Sequence, residues 1–263
     1  MNFDKDEIIT TDGYINFCED ELIELCHIKT DYFTIGKFNW RGKTHPETIK
    51  KNVIISHSDI SVENNISDMF NLVFCVNNNT TKDNTYSLPL GIPNNSDDLE
   101  VLKIIGDKES FLSVINAPVE KNDLVYMNFD ISTNLQVRQP IYDHFQKYEW
   151  VTKQKTSQTL EGRQDYLISI KKTKFVLCPR GNGVDTHRLW ESLYLGAIPI
   201  IQYHRTHDIC QDLPILFIDK WENITEEYLN SEYEKISNKK FNLEKLKLSY
   251  WKTYIKNKIL QNV

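Results

Sequence analysis

Short apolar runs of strand length, helix-period segments set between them, and 263 residues without an internal repeat predict an α/β protein. Its expected form is two Rossmann-like lobes with mostly parallel sheets. The strand runs, in order, are Tyr32–Ile35, Val53–Ser56, Leu72–Val76, Leu124–Met127, Phe175–Cys178, Ile198–Ile201 and Ile215–Ile218. Each is bounded by polar or turn residues, and several are rich in Val, Ile and Phe, the pattern of strands buried on both faces. Helical spacing reads over Glu19–His27, Asp97–Ile105, Gln139–Tyr148, Leu160–Lys172, Asp185–Leu195, Glu226–Lys235 and Asn242–Lys258. Pro118 and the charged run Glu120–Asp123 place a hinge near 107–124, which divides the chain into lobes 1–118 and 119–263. Apolar residues at Leu243, Leu246, Trp251, Tyr254 and Ile255 make the last helix one that packs back across a lobe.

Composition excludes several function classes. Hydrophobic residues at 40% and charged residues at 26% are those of a globular protein, not a disordered one. A formal charge of −6 leaves no basic surplus, so no nucleic-acid partner is expected. No run approaches the roughly 18 apolar residues of a membrane span. The stretch from Met1 to Gly13 is acidic and polar, unlike a signal sequence, so a cytoplasmic or otherwise soluble protein is expected. Cys18, Cys26, Cys75, Cys178 and Cys210 are few, odd in number and set mostly in apolar runs, which suits buried thiols better than disulfides.

The stretch from Phe175 to Ile201 carries the chemistry. A buried strand ends at Pro179, a loop bearing Gly181 and Gly183 follows, and a helix is expected to start with Asp185 as its N-cap. Gly196 closes that helix as a left-handed cap before the next strand. Amides of Gly181, Asn182 and Gly183, with the helix N-terminus behind them, form a cradle for an anion. Arg180 in the loop and Arg188 one turn into the helix add two guanidinium groups suited to a diphosphate. Glu191, beside Arg188 and His187 on the helix, is placed to accept ribose hydroxyls; the plain alternative is an Arg188–Glu191 surface ion pair. Gly181-x-Gly183 is not completed as a dinucleotide fingerprint, since position 186 is Thr, and no Walker Gly-Lys-Ser/Thr follows. Trp190 and Tyr194, at helical spacing, read as packing residues.

This run resembles the C-terminal donor-binding signature of exostosin-type glycosyltransferases, inverting sugar-nucleotide enzymes of GT-B-like architecture. Their apolar strand, Pro-x-Gly, Gly-x-Asp-x-x-Arg-x-x-Glu, closing Gly and Ile-Pro-Ile strand all have counterparts over about residues 160–220. Upstream, Leu88-Pro89-Leu90-Gly91-Ile92 resembles the family's apolar Pro-x-Gly segment, and Tyr126-x-Asn128-Phe129 with Arg138 resembles the entry to its second lobe. The resemblance implies that Arg180, Arg188 and Glu191 contact a nucleotide-diphosphate sugar, with Asp185 and His187 shaping the loop. It also implies a glycan acceptor, on an oligosaccharide or glycoprotein, served by the first lobe in a compact GT-B-like chain.

Glycosyl transfer needs a stabilised diphosphate and, for inversion, a base on the acceptor hydroxyl. The single Asp-x-Asp triplet is Asp4-Lys5-Asp6 in a polar tail, so metal-independent catalysis with no cofactor is expected. His57 and Asp59 follow the Val53–Ser56 strand, where catalytic groups of open α/β sheets gather, and are the expected base and its orienting partner. Arg138 is a further phosphate or hinge contact. His204-x-x-His207-x-x-Cys210 has ligand-like spacing but lacks a fourth ligand nearby, so a surface loop is the default over zinc. The competing functions are an inactive nucleotide-sugar or glycan-binding module on the same fold, and another Rossmann enzyme such as a methyltransferase. Gly36-Lys37 after the Tyr32–Ile35 strand is a poor match to the glycine-rich loop the latter needs.

Overall fold

The computed structural model describes residues 3–18, 24–29, 32–35, 38–41, 49–56, 59, 61–96 and 100–262. Two sheets organise them. The first contains β1 (Glu24–Lys29), β2 (Tyr32–Ile35), β3 (Phe38–Arg41), β4 (Ile49–Ile55), β5 (Phe70–Cys75) and β6 (Thr85–Ser87) in the order β3-β2-β1-β4-β5-β6. Strands β1, β4, β5 and β6 run parallel, while β2 and β3 add an antiparallel edge. The second holds β7 (Asp123–Met127), β8 (Val151–Lys153), β9 (Thr173–Leu177), β10 (Ile198–Gln202) and β11 (Leu216–Ile218), all parallel, in the order β11-β10-β9-β7-β8. The helices are α1 (Thr11–Cys18), α2 (Asn64–Ser67), α3 (Glu100–Ile105), α4 (Lys108–Asn116), α5 (Leu135–Phe145), α6 (Leu160–Lys172), α7 (His187–Tyr194), α8 (Glu226–Ser237) and α9 (Leu248–Gln261). The α/β fold and parallel pairing match the sequence expectation.

Strand alternation builds a core shared by both sheets. On β5, Leu72 and Phe74 face one cluster while Val73 and Cys75 face another; on β9, Val176 faces inward and Phe175 and Leu177 outward. The inner faces meet in a single apolar cluster that joins Ile54 and Phe74 to Val176, Trp190 and Leu193. Helix α9 closes it: Trp251 and Ile255 are buried there, and Tyr254 stands edge-on to Tyr86 of β6 at 6.2 Å. The expected return of the last helix across a lobe is therefore seen, although Leu243–Leu246 form a separate 3₁₀ turn before it.

Two helices need correction, and the segment expected as a hinge carries a helix of its own. The helix expected over Glu19–His27 gives way, from Glu24, to strand β1, because pairing with β4 and β2 on either side outweighs a period read over so short a window. The hinge expected at 107–124 contains α4, capped by Asp107, whose carboxylate accepts the Glu109 amide at 3.0 Å. Phe111 and Val114 are buried, and Lys171 of α6 donates to the Val114 carbonyl at 2.6 Å, so this segment is packed. Helix α5 starts at Leu135, before Pro140, because the Asn134 side chain caps it there. Short, weakly apolar elements (α1, α2, β3, β6 and β8) went unread in the sequence.

Candidate active site

Strands β4 to β9, from both sheets, aim their carboxyl ends at a common cavity of about 1100 Å³. Its wall includes Ser56 after β4, Asn77 after β5, Leu90 after β6, Asn128 after β7, Thr156 after β8 and Gly181 after β9. Ligands of open α/β sheets bind beyond the carboxyl ends of strands, where backbone and side-chain polar groups converge.

The loop between β9 and α7 is held from all sides. Arg138 of α5 is buried and donates from Nε to the Arg180 carbonyl at 3.0 Å and from Nη1 to the Asp130 carbonyl at 2.7 Å. Burial and the facing Arg188 push its pKa down to about 10. Asn134 donates to the Gly181 carbonyl at 2.8 Å, and Asn77 Oδ1 accepts the amides of Val184 and Asp185, both at 3.0 Å. A Cβ on Gly183 would lie 2.8 Å from Asn77 Nδ2 and would push that clamp aside. The Gly181 amide is itself bonded to the Gly183 carbonyl at 3.1 Å. The expected cradle of loop amides is thus smaller: Gly181 is spent within the loop, and among the described residues Asn182 and Gly183 remain uncommitted.

Asp185 is not the helix cap. Thr186 is, accepting the Leu189 amide, and Gly196 at φ +74° closes α7 with Ala197 N bonded to Ser192 O at 2.9 Å. Asp185 is instead buried between the lobes, where its carboxylate accepts the Leu90 amide at 2.9 Å, the Thr186 amide at 2.8 Å and Trp190 Nε1 at 2.9 Å. Burial pushes its pKa up to about 6. His187 likewise crosses the gap: its Nδ1 lies 2.8 Å from the Gly91 carbonyl. Gly91, at φ +73°, is seated so that a Cβ would meet the Ile9 carbonyl oxygen at 2.1 Å. The two stretches that carried the resemblance, 88–92 and 175–201, therefore touch in space.

Glu191 does not pair with Arg188. Its carboxylate forms a 2.7 Å ion pair with Arg163 of α6 and accepts the Tyr166 hydroxyl at 2.6 Å; the paired side chains are 3% and 6% exposed. Burial opposes its ionisation, but the Arg163 charge and these contacts outweigh it and hold its pKa below the usual carboxylate range. Arg188 lines the cavity, its guanidinium 5.9 Å from the Tyr166 ring centroid, and its buried Nε has no acceptor. No carboxylate pairs with it among the described residues. Arg180 is exposed, donates to the Asn182 carbonyl at 3.3 Å and stays outside the cavity wall. Of the two guanidinium groups expected to flank the site, Arg188 does so and Arg180 does not.

Asp59 stands in the cavity wall, and Asn182 Nδ2 approaches its carboxylate at 3.4 Å; His57 lies outside the described residues. Arg163 and Tyr166 were missed by sequence reasoning. Their signal is the i, i+3 spacing on one face of a helix otherwise assigned to packing. Trp190 and Tyr194 are buried packing residues, as expected. His204, His207 and Cys210 fall on a 3₁₀ turn where His204 Nδ1 accepts the Thr206 amide, and no cluster suited to a metal occurs among the described residues.

A family model described as the RXYLT1 C-terminal domain matches residues 124–263, more than half of the chain. The chain belongs to the RXYLT1 C-terminal domain family. That places it in a glycosyltransferase family. The RXYLT1 C-terminal domain match contains Arg138, Arg163, Arg188 and Glu191, while Ser56, Asn77 and Leu90 reach the same cavity from outside it. No curated protein matches the chain. No helix of the described residues is long and apolar enough to cross a membrane.

Proposed function

We propose that this chain is an exostosin-type, GT-B-like transferase. It moves a monosaccharide from a nucleotide-diphosphate sugar to a glycan hydroxyl, with inversion and without a metal. The observation that carries the reading is Arg188: an unpaired guanidinium in the wall of a cavity at the carboxyl ends of two parallel sheets. A half-buried guanidinium with no carboxylate bonded to it suits an anionic ligand, and a diphosphate meets it with bidentate geometry. The amides of Asn182 and Gly183 are the nearby neutral donors, at the open side of the loop that Arg138 and Asn77 hold rigid. Arg188 then stabilises the diphosphate as the glycosidic C–O bond breaks, when its negative charge grows. The Arg163–Glu191–Tyr166 group, at the foot of Arg188, fixes the guanidinium through the Tyr166 ring. Asp59 faces the loop from the first lobe, where the acceptor is expected to enter.

Thermal denaturation with uridine, guanosine and cytidine diphosphates tests this. A ligand at 100 times its Kd stabilises the fold by about 2.7 kcal/mol. Arg188→Gln should weaken the responding nucleotide roughly 10- to 100-fold, the worth of a charged hydrogen bond to phosphate. No response to any of the three nucleotides sinks the reading, whereas binding with neither donor hydrolysis nor transfer makes the chain a binding module.

A further inference from the structure

We propose that His187 is the general base of the transfer, its ring aligned by the first lobe's Gly91 carbonyl; this rests on the glycosyltransferase reading above. A carbonyl oxygen can only accept, so the 2.8 Å contact places the proton on Nδ1. The neutral ring then carries its lone pair on Nε2, and His187 is part of the cavity wall. Arg188 is the next residue on α7, about 100° round the helix, so one turn carries both the diphosphate grip and a proton acceptor aimed elsewhere. The carbonyl that orients the ring is itself fixed. Ile92 donates to the Ile9 carbonyl at 2.9 Å, and Gly91 is packed on that same carbonyl.

In the reaction, the acceptor O–H proton passes to Nε2. The freed oxygen pair forms the new bond to the anomeric carbon, and the bond to the diphosphate breaks with its electrons leaving on phosphate oxygen. The imidazolium returns its proton to water. Burial keeps the free ring neutral, lowering its pKa below 6.5. The charges that face it are Glu191 on its own helix, Arg163 on α6 and Asp59 after β4. The two carboxylates favour the imidazolium as it forms and Arg163 opposes it.

The test uses the full chain, uridine, guanosine and cytidine diphosphate sugars, and water or mixed oligosaccharides as acceptor. His187→Asn retains an N–H for the Gly91 carbonyl and removes the Nε2 lone pair. It should bind the nucleoside diphosphate within about threefold of wild type yet lose 10²- to 10⁴-fold in turnover, the usual worth of a general base. The wild-type rate should fall on the acid side with a midpoint below 6.5, and added imidazole should partly restore His187→Ala. Should the variants not fold, the wild-type acid limb decides, and a flat profile overturns the assignment. Unchanged turnover in His187→Asn overturns it too. So does a wild type that binds the nucleotide but turns no donor over, while the nucleotide reading survives. A wild type that binds no nucleotide overturns the site reading itself.

Discussion

Arg163 and Glu191 are both buried in the site, and their pairing sets what a single substitution does there. Arg163→Met leaves the Glu191 carboxylate buried without its cation, which should cost about 3–5 kcal/mol in denaturant unfolding. Adding Glu191→Leu should restore most of it, since two apolar groups replace two charges; a double variant as weak as the single would refute the pairing. Asp185 works in the opposite sense. Its pKa of about 6 lies above the ordinary carboxylate value, so the folded state holds the proton more tightly than the unfolded chain does. Its contribution is greatest below about pH 4 and is lost as pH rises through about 6, a change on the order of 3 kcal/mol. Unfolding free energies measured from pH 4 to 7 should show this decline, and Asp185→Asn should remove that slope. These buried pairings were illegible in sequence, because Arg163 and Glu191 are 28 positions apart and only the packing of α6 on α7 joins them.

At the scale of elements, two glycines separate strain from collision. Gly196 at φ +74° has open space around a prospective Cβ, so Gly196→Ala should cost only the left-handed backbone penalty of about 1–2 kcal/mol. Gly91→Ala adds a clash with the Ile9 backbone and should cost several times more, to the point of poor folding. Comparable melting temperatures for the two variants would contradict the tight seat at Gly91. Helix α7, with its Gly196 cap, and the strands β9 and β10 were readable from local pattern, since each is bounded by Pro, Gly or a polar turn. Strand β1 was not: its identity comes from β2 and β4, which flank it.

Across the whole molecule, the core that passes from Phe74 to Val176 and Trp190 links the two sheets into one cooperative body. Residues 119–263 expressed alone should expose that face, bind a hydrophobic dye and melt without a sharp transition. A fragment with its own cooperative melt would show the lobes to be independent. The full chain should unfold in one step by calorimetry and far-ultraviolet dichroism alike.

The run from β9 through α7 to β10, the reach of the last helix and the concentration of polar chemistry between Phe175 and Ile201 were written locally, in spacings that one stretch of chain carries by itself. Tertiary structure alone decided which of those polar groups face the cavity. It turned Arg180 outward, spent Gly181 inside the loop, moved Asp185 from helix cap to lobe clamp and brought Arg163 and Tyr166 to Glu191. The reason is physical: hydrophobic period and capping act between near neighbours, whereas the partner of a buried charge is chosen by whichever distant element the fold packs against it.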